Sequence, residues 1–347
     1  MQKSGLNRLS YIDVLKVTAA FLIVMLHVSA LYVDMKAVPA GELHYFINIF
    51  SRIGLPLFIM VSGALLLRSQ YRFSFKKKFF YIAKIYAFWS AFYVLFEQAS
   101  LWATGAPFLT PAEMVVHWIR GPYHFWYLTM LLGIYIFMPA LSRLKDFQTL
   151  NYLVVLSFVI LYIVQPLMGV MPDCVNTFTL QMMVYRPDYN LFLFLLGAWL
   201  HQMPLEKNLL STASFLFATG LVLTAFGIHR AAHLSDMVTM TPFNMWAQLF
   251  MAVGLFYMIR YSARHHHSSE RLMLLSKCTL HIFITSAFFI FLYDYLLQDL
   301  WDGFLPILGV NIVLWSVVIF ALSFGAGYMV YRKDRWLKRR RLEKSGK

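Results

Sequence analysis

Ten runs of roughly 20 mostly apolar residues, joined by short connections, constrain this chain more than any other feature of its sequence. They cover 14–33, 45–67, 79–99, 124–142, 151–170, 189–203, 211–228, 244–261, 279–297 and 304–331, with 189–203 the shortest. In hydrocarbon an unpaired backbone N–H or C=O is so costly that only helices or a closed barrel can span, and these runs are too long for strands. The expected fold is therefore all-α, a polytopic membrane protein of about ten transmembrane helices. Composition agrees: 60% of residues are hydrophobic and 13% charged, with a mean hydropathy of +0.63.

The charges give an independent reading of topology, because lysine and arginine gather on the cytoplasmic side of inner-membrane proteins. With both termini in the cytoplasm, that side holds 23 of the 30 basic residues, including Arg68 to Lys78, Arg260 to Lys277 and the tail from Arg332. The opposite loops hold only Lys36, Arg120, Arg186 and Arg230, while Lys16, Arg52 and Lys84 fall in or beside spans. This predicts a bacterial inner (plasma) membrane protein with cytoplasmic N- and C-termini. Residues 1–332 are expected to form one integral membrane domain and 333–347 a basic cytoplasmic tail.

The net charge of +14 does not point to nucleic acid, since nine basic residues sit in the tail beyond the last apolar run, a membrane-surface pattern. Cys174 and Cys278 fall on opposite sides in this topology, so no disulfide framework is expected. Val28-Ser29-Ala30 imitates a signal-peptide cleavage site, but Lys16 interrupts the apolar stretch before it. No HExxH, no His/Cys metal spacing and no nucleophile elbow is present, which disfavours metal hydrolysis and serine catalysis.

Ionisable groups inside a bilayer are expensive and default to functional hypotheses. Lys16 and His27 are eleven residues apart, about three helical turns and 16 Å, so they share one face of the first helix. Lys16 at the cytoplasmic edge suits a phosphate or carboxylate, and an imidazole past the midpoint suits general base work. The plainer alternative is a snorkelling lysine and a hydrogen-bonded core histidine. Arg52 lies mid-span, four residues before Pro56, with Ser62-Gly63 beyond. A bend that widens a cavity and a kinked packing helix both fit.

Lys76, Lys77, Lys78 and Lys84 form a basic run that either reports topology or holds a polyphosphate. His124-Phe125-Trp126-Tyr127 opens the fourth run. An aromatic belt accounts for Trp126 and Tyr127, whereas His124 is a candidate for acceptor binding. His117, His229, His233 and His265 to His267 read as loop residues.

Taken together, Ile12-Asp13-Val14-Leu15-Lys16, the basic-x10-His spacing to His27, Arg52 with Pro56-Leu57-Phe58 and Ser62-Gly63, and His124-Phe125-Trp126-Tyr127 resemble the acyltransferase-3 family of integral membrane acyltransferases. The likeness is closest to the branch thought to O-acetylate surface polysaccharides such as enterobacterial common antigen. It implies His27 as catalytic base and Lys16, where the family has arginine or lysine, as the second catalytic residue. It also implies Arg52, Ser62, Lys76, Lys77, Lys78 and Lys84 around an acyl-CoA such as acetyl-CoA, with His124 and Trp126 near a glycan or lipid-linked glycan acceptor. No redox or metal cofactor is implied. One departure stands out: where relatives carry a late histidine, this chain has Ser286, and His281 is not at the matching place. A transporter moving a glycan, lipid or anionic small molecule without chemistry is the competing class, because embedded cations suit an anionic cargo equally well.

Overall fold

The computed structural model describes residues 9–34, 42–68, 74–144, 146–168, 188–232, 242–296 and 308–344. Lys36, Arg186, Cys174 and His233 lie outside these residues. The described chain is helical and contains no strand, and eight helical stretches among the described residues are long and apolar enough to cross a membrane, two of them interrupted. We label the helices α1 Ser10–Asp34, α2 Glu42–Ser51, α3 Gly54–Leu66, α4 Phe75–Thr104, α5 Pro111–Arg120, α6 Trp126–Leu141 and α7 Phe147–Val159. The remainder are α8 Tyr189–Gln202, α9 Lys207–Ala232, α10 Pro242–Ser262, α11 Glu270–Leu296 and α12 Leu308–Lys344.

Within the described residues all ten apolar runs form helix, with physical differences at four of them. The run at 45–67 is two helices, interrupted at Arg52-Ile53. The run at 124–142 follows a separate short helix, α5, and begins with a 3₁₀ turn at Tyr123–Phe125. The rod from Phe147 loosens into a π-helical segment over Ile160–Val164. The run at 189–203 gives α8, whose 14 residues extend about 21 Å, short of a bilayer's hydrocarbon thickness. Large apolar side chains such as Phe88, Phe137, Phe215 and Val222 are more than half exposed, a surface suited to lipid.

The chain forms two compact units. The first comprises residues 1–65 and 150–347. Within it α1 is central: α2, α10, α11 and α12 all pack against it, while α9 pairs with α10 and α11 with α12. Small side chains permit this, with Ala19 and Ala20 buried on α1 beside Leu15, Val24 and Val28. The tightest crossing is between α3 and α8. A Cβ added at Gly63 would overlap the backbone of Phe194, and one at Gly197 would overlap that of Met60. Only glycine lets these two backbones touch.

The second unit, residues 66–149, is built on α4, against which α5 and α6 pack. Thr110 caps α5 through a capping box with Glu113, and Pro111 occupies the first turn. Its other end is tied to α4 by the Tyr86 hydroxyl, which donates to the Ile119 carbonyl at 2.8 Å, and by the Trp118 indole, which donates to the Ala87 carbonyl at 2.8 Å. His117 is therefore not a loop residue: it sits on α5, with Nδ1 2.9 Å from the Glu97 carboxylate of α4. His229 likewise lies within a helix, α9.

Candidate functional site

Pro56 explains why the second apolar run is broken where it is. Its ring removes one amide donor and crowds the carbonyl four residues back, which belongs to Arg52. That carbonyl accepts instead from Leu55 at 3.3 Å, the Arg52 amide is shared between the Asn48 and Ile49 carbonyls at 3.3 and 3.2 Å, and the Ile53 amide reaches back three residues to Phe50 at 3.2 Å. The interruption thus falls at Arg52, and it is packed closely on α1. A Cβ at Gly54 would come within 2.9 Å of the Ala19 carbonyl oxygen. The opening therefore lies one turn before Pro56, at the carbonyl whose usual donor the proline removes.

Arg52 emerges from this interruption partly buried, and its Nε donates to Asn48 Oδ1 at 3.2 Å. Asn48 Nδ2 in turn donates to Ser29 Oγ at 2.9 Å, and Ser29 donates to the Leu26 carbonyl of its own helix at 2.8 Å. A polar bridge therefore crosses from α2 to α1 in the middle of the bundle. His44 extends it by one turn, packed by the Ser29 backbone with 1% of its surface exposed. Positions 44, 48 and 52 recur every four residues and so line one stripe of α2.

His27 stands on α1 two residues before Ser29 and is partly buried, and the positive charge of Arg52 reaches its imidazole. Lys16 occupies the same face about 16 Å toward the N-terminus and is partly buried as well. The structure thus places His27 within the field of Arg52 and leaves Lys16 three turns away on the same face of α1. Ser62, on α3, donates to the Phe58 carbonyl at 3.0 Å.

Lys76, Lys77, Lys78 and Lys84 are exposed on the first three turns of α4, in the second unit. In that unit His124 is buried at the 3₁₀ turn, its ring edge-on to Tyr93, Tyr123 and Phe125 at centroid separations of 5.3, 5.2 and 4.7 Å. Trp126 beside it is 42% exposed. Ser286, at the departure from the expected late histidine, is buried on α11 and donates to the Phe283 carbonyl at 3.0 Å.

Sequence reasoning missed Ser29, His44 and Asn48. The four-residue recurrence of His44, Asn48 and Arg52 in an otherwise apolar stretch was the available signal. Ser29 carried none, since a lone serine in a membrane helix usually bonds its own backbone.

Neither a comparison with curated proteins nor one with solved structures returns a match. The family model described as an acyltransferase domain matches residues 9–342, nearly the whole chain, including both units and every residue of the α1–α2 site. This multi-pass helical chain, matched over residues 9–342 by that model, belongs to the acyltransferase-3 family of membrane acyltransferases.

Proposed function

We propose that this protein is an inner-membrane O-acyltransferase that takes an acyl group, acetyl in the simplest case, from cytoplasmic acyl-CoA. The acceptor is a hydroxyl of a cell-surface glycan or its lipid-linked precursor. The observation that carries the reading is His27, set inside the bundle within reach of the Arg52 charge. The excess of basic residues in the loops at one end supports cytoplasmic termini, with the N-terminal end of α1 facing the donor.

In this reading His27 accepts the proton of the acceptor hydroxyl as its oxygen bonds to the thioester carbonyl carbon. The tetrahedral intermediate collapses with cleavage of the C–S bond, and the departing thiolate takes the proton from His27. Arg52, held by Asn48, places positive charge where the carbonyl oxygen becomes an oxyanion. Lys16 and Ser62 border the donor's path. The exposed lysines 76, 77, 78 and 84 attract the polyphosphate donor, a role that charge at a distance performs through association rate. His124 and Trp126 serve the acceptor, with the exposed indole offering a face on which a sugar ring can stack.

The test is incubation of the purified protein with radiolabelled acetyl-CoA, with and without a hydroxyl-bearing glycan acceptor. Acceptor-dependent transfer of label is expected. Uptake of a glycan or anion into proteoliposomes without any label transfer would support the transporter reading instead.

A further inference from the structure

A second constellation lies at the N-terminal end of α1, away from His27. The C-terminal end of α8 leaves its last carbonyls without helical partners, and buried Arg260 of α10 satisfies two of them. Its guanidinium donates to the Leu200 carbonyl at 2.6 Å and the Met203 carbonyl at 2.7 Å. Tyr257 fixes the adjoining turn, donating to the Pro204 carbonyl at 2.7 Å and accepting from the Glu206 amide at 3.0 Å. The segment after α10 is fastened to α1 in the same way. The Ser10 hydroxyl donates to the Ala263 and His266 carbonyls, and Ser268 donates to Asp13 at 2.7 Å.

These fastenings frame an open cleft of about 660 Å³. Its floor is the Tyr11–His201 pair, whose rings stack at 6.0 Å with the hydroxyl 2.6 Å from Nδ1. Leu9, Leu205 and Met273 contribute apolar wall. Around the rim stand Arg264, His266 and His267, all exposed, and none of the residues lining the cavity is acidic. Apolar walls with stacked rings suit a planar base, and a rim of one guanidinium and two imidazoles suits phosphate. Because Arg260 and Tyr257 are engaged by backbone, the cavity is preformed and does not need a ligand to assemble it.

Resting on the acyl-CoA reading above, we infer that this cavity seats the phosphorylated nucleotide end of the donor. Tyr11 and His27 are sixteen residues apart on one continuous helix, about 24 Å along its axis. Sixteen residues at about 100° each put Tyr11 and His27 on nearly opposite sides of α1, so the pantetheine arm passes around the helix as well as along it to bring the thioester to His27. The two ends of the donor are then read by different chemistry: phosphate and base at the cavity, thioester at His27 and Arg52.

Acetyl-pantetheine, which carries the thioester but no nucleotide, isolates the cavity's contribution. The wild-type protein is expected to show a KM for acetyl-pantetheine at least tenfold above that for acetyl-CoA, with adenosine 3′,5′-bisphosphate competing against acetyl-CoA. Arg264→Glu combined with His267→Glu reverses the rim charge at exposed positions. It is expected to raise the KM for acetyl-CoA tenfold or more and to bring the ratio of the two KM values toward one.

An unchanged ratio in the double variant overturns the inference while leaving acyl transfer intact, and so does a lipid phosphate competing where the bisphosphate fails. If wild-type protein transfers acetyl from neither donor, the acyl-CoA reading itself has failed. Equal losses with both donors would show the rim to be structural and also overturn the inference.

Discussion

Replacing Asn48 by alanine tests whether the bridge between α2 and α1 matters for the chemistry. Asn48 is 5% exposed, and it holds Arg52 through one bond and Ser29 through another. A hydrogen bond to a charged group contributes about 1.5–3 kcal/mol in soluble proteins. Hydrogen bonds between membrane helices average only about 0.6 kcal/mol, because the released group finds other partners there. Arg52 is partly buried and next to the carbonyls of a helix interruption, so part of the loss will be recovered. An intermediate loss of about 1–2 kcal/mol in transition-state stabilisation corresponds to a fall of roughly five- to thirtyfold in kcat/KM. The assay is acetyl transfer by Asn48→Ala, Arg52→Ala and the double variant, each checked for a monodisperse folded peak. If Asn48 acts by holding Arg52, the double variant is no slower than Arg52→Ala alone. Additive losses, or an Asn48→Ala rate equal to wild type beside an inactive Arg52→Ala, would refute the bridge as the device that positions Arg52.

His27→Gln keeps a hydrogen-bonding side chain but cannot carry the proton, so kcat should fall a hundredfold to ten-thousandfold with donor binding nearly intact; a near wild-type rate would return His27 to a packing role. Neutralising Lys76, Lys77, Lys78 and Lys84 together should weaken CoA binding about tenfold at low salt, a difference that shrinks as ionic strength rises, as binding titrations at two salt concentrations will show. Gly63→Val should prevent the α3–α8 crossing and abolish the monodisperse peak in detergent, because the overlap is with backbone and cannot be relieved by a rotamer change. A cytoplasm-active reporter fused after Lys347 should be active and a periplasm-active one silent; the opposite pattern would overturn the proposed orientation.

Much of the fold was legible because the signal was length. An apolar run of roughly 20 residues has few alternatives to a helix, and within the described residues all ten runs became helix. What escaped were features set by partners distant in sequence. Arg260 reads as one more basic residue at the end of a span, yet it is buried because the carbonyls of Leu200 and Met203, sixty and fifty-seven positions earlier, need donors. The π-helical segment at Ile160–Val164 is followed by Pro166, which by the rule seen at Pro56 withholds a donor from the Tyr162 carbonyl inside it. It coincides with Tyr162 packed among Phe158, Phe192 and Trp246, a cluster that only the assembled bundle creates. His27, Lys16 and Arg52 were found since an ionisable group in an apolar run is conspicuous alone. Ser29 and Asn48 were passed over since a small polar residue is not.

The break at Arg52 also bears on how the chain enters the bilayer. An arginine at the centre of a membrane helix opposes insertion by about 2.5–3.5 kcal/mol, against which each leucine, isoleucine, phenylalanine or valine contributes only about 0.3–0.6. The segment from Leu43 to Leu66 is apolar enough to span, but it bears that arginine together with His44 and Asn48 on one stripe, which offsets part of what its apolar residues contribute. Its polar partner, Ser29, is on the helix made just before it. Synthesis from the N-terminus therefore delivers α1 first, and the interrupted segment can pass into lipid as the second arm of a hairpin with its polar stripe already covered. The residue order along the chain, and not only its final packing, makes a charged group at this depth tolerable.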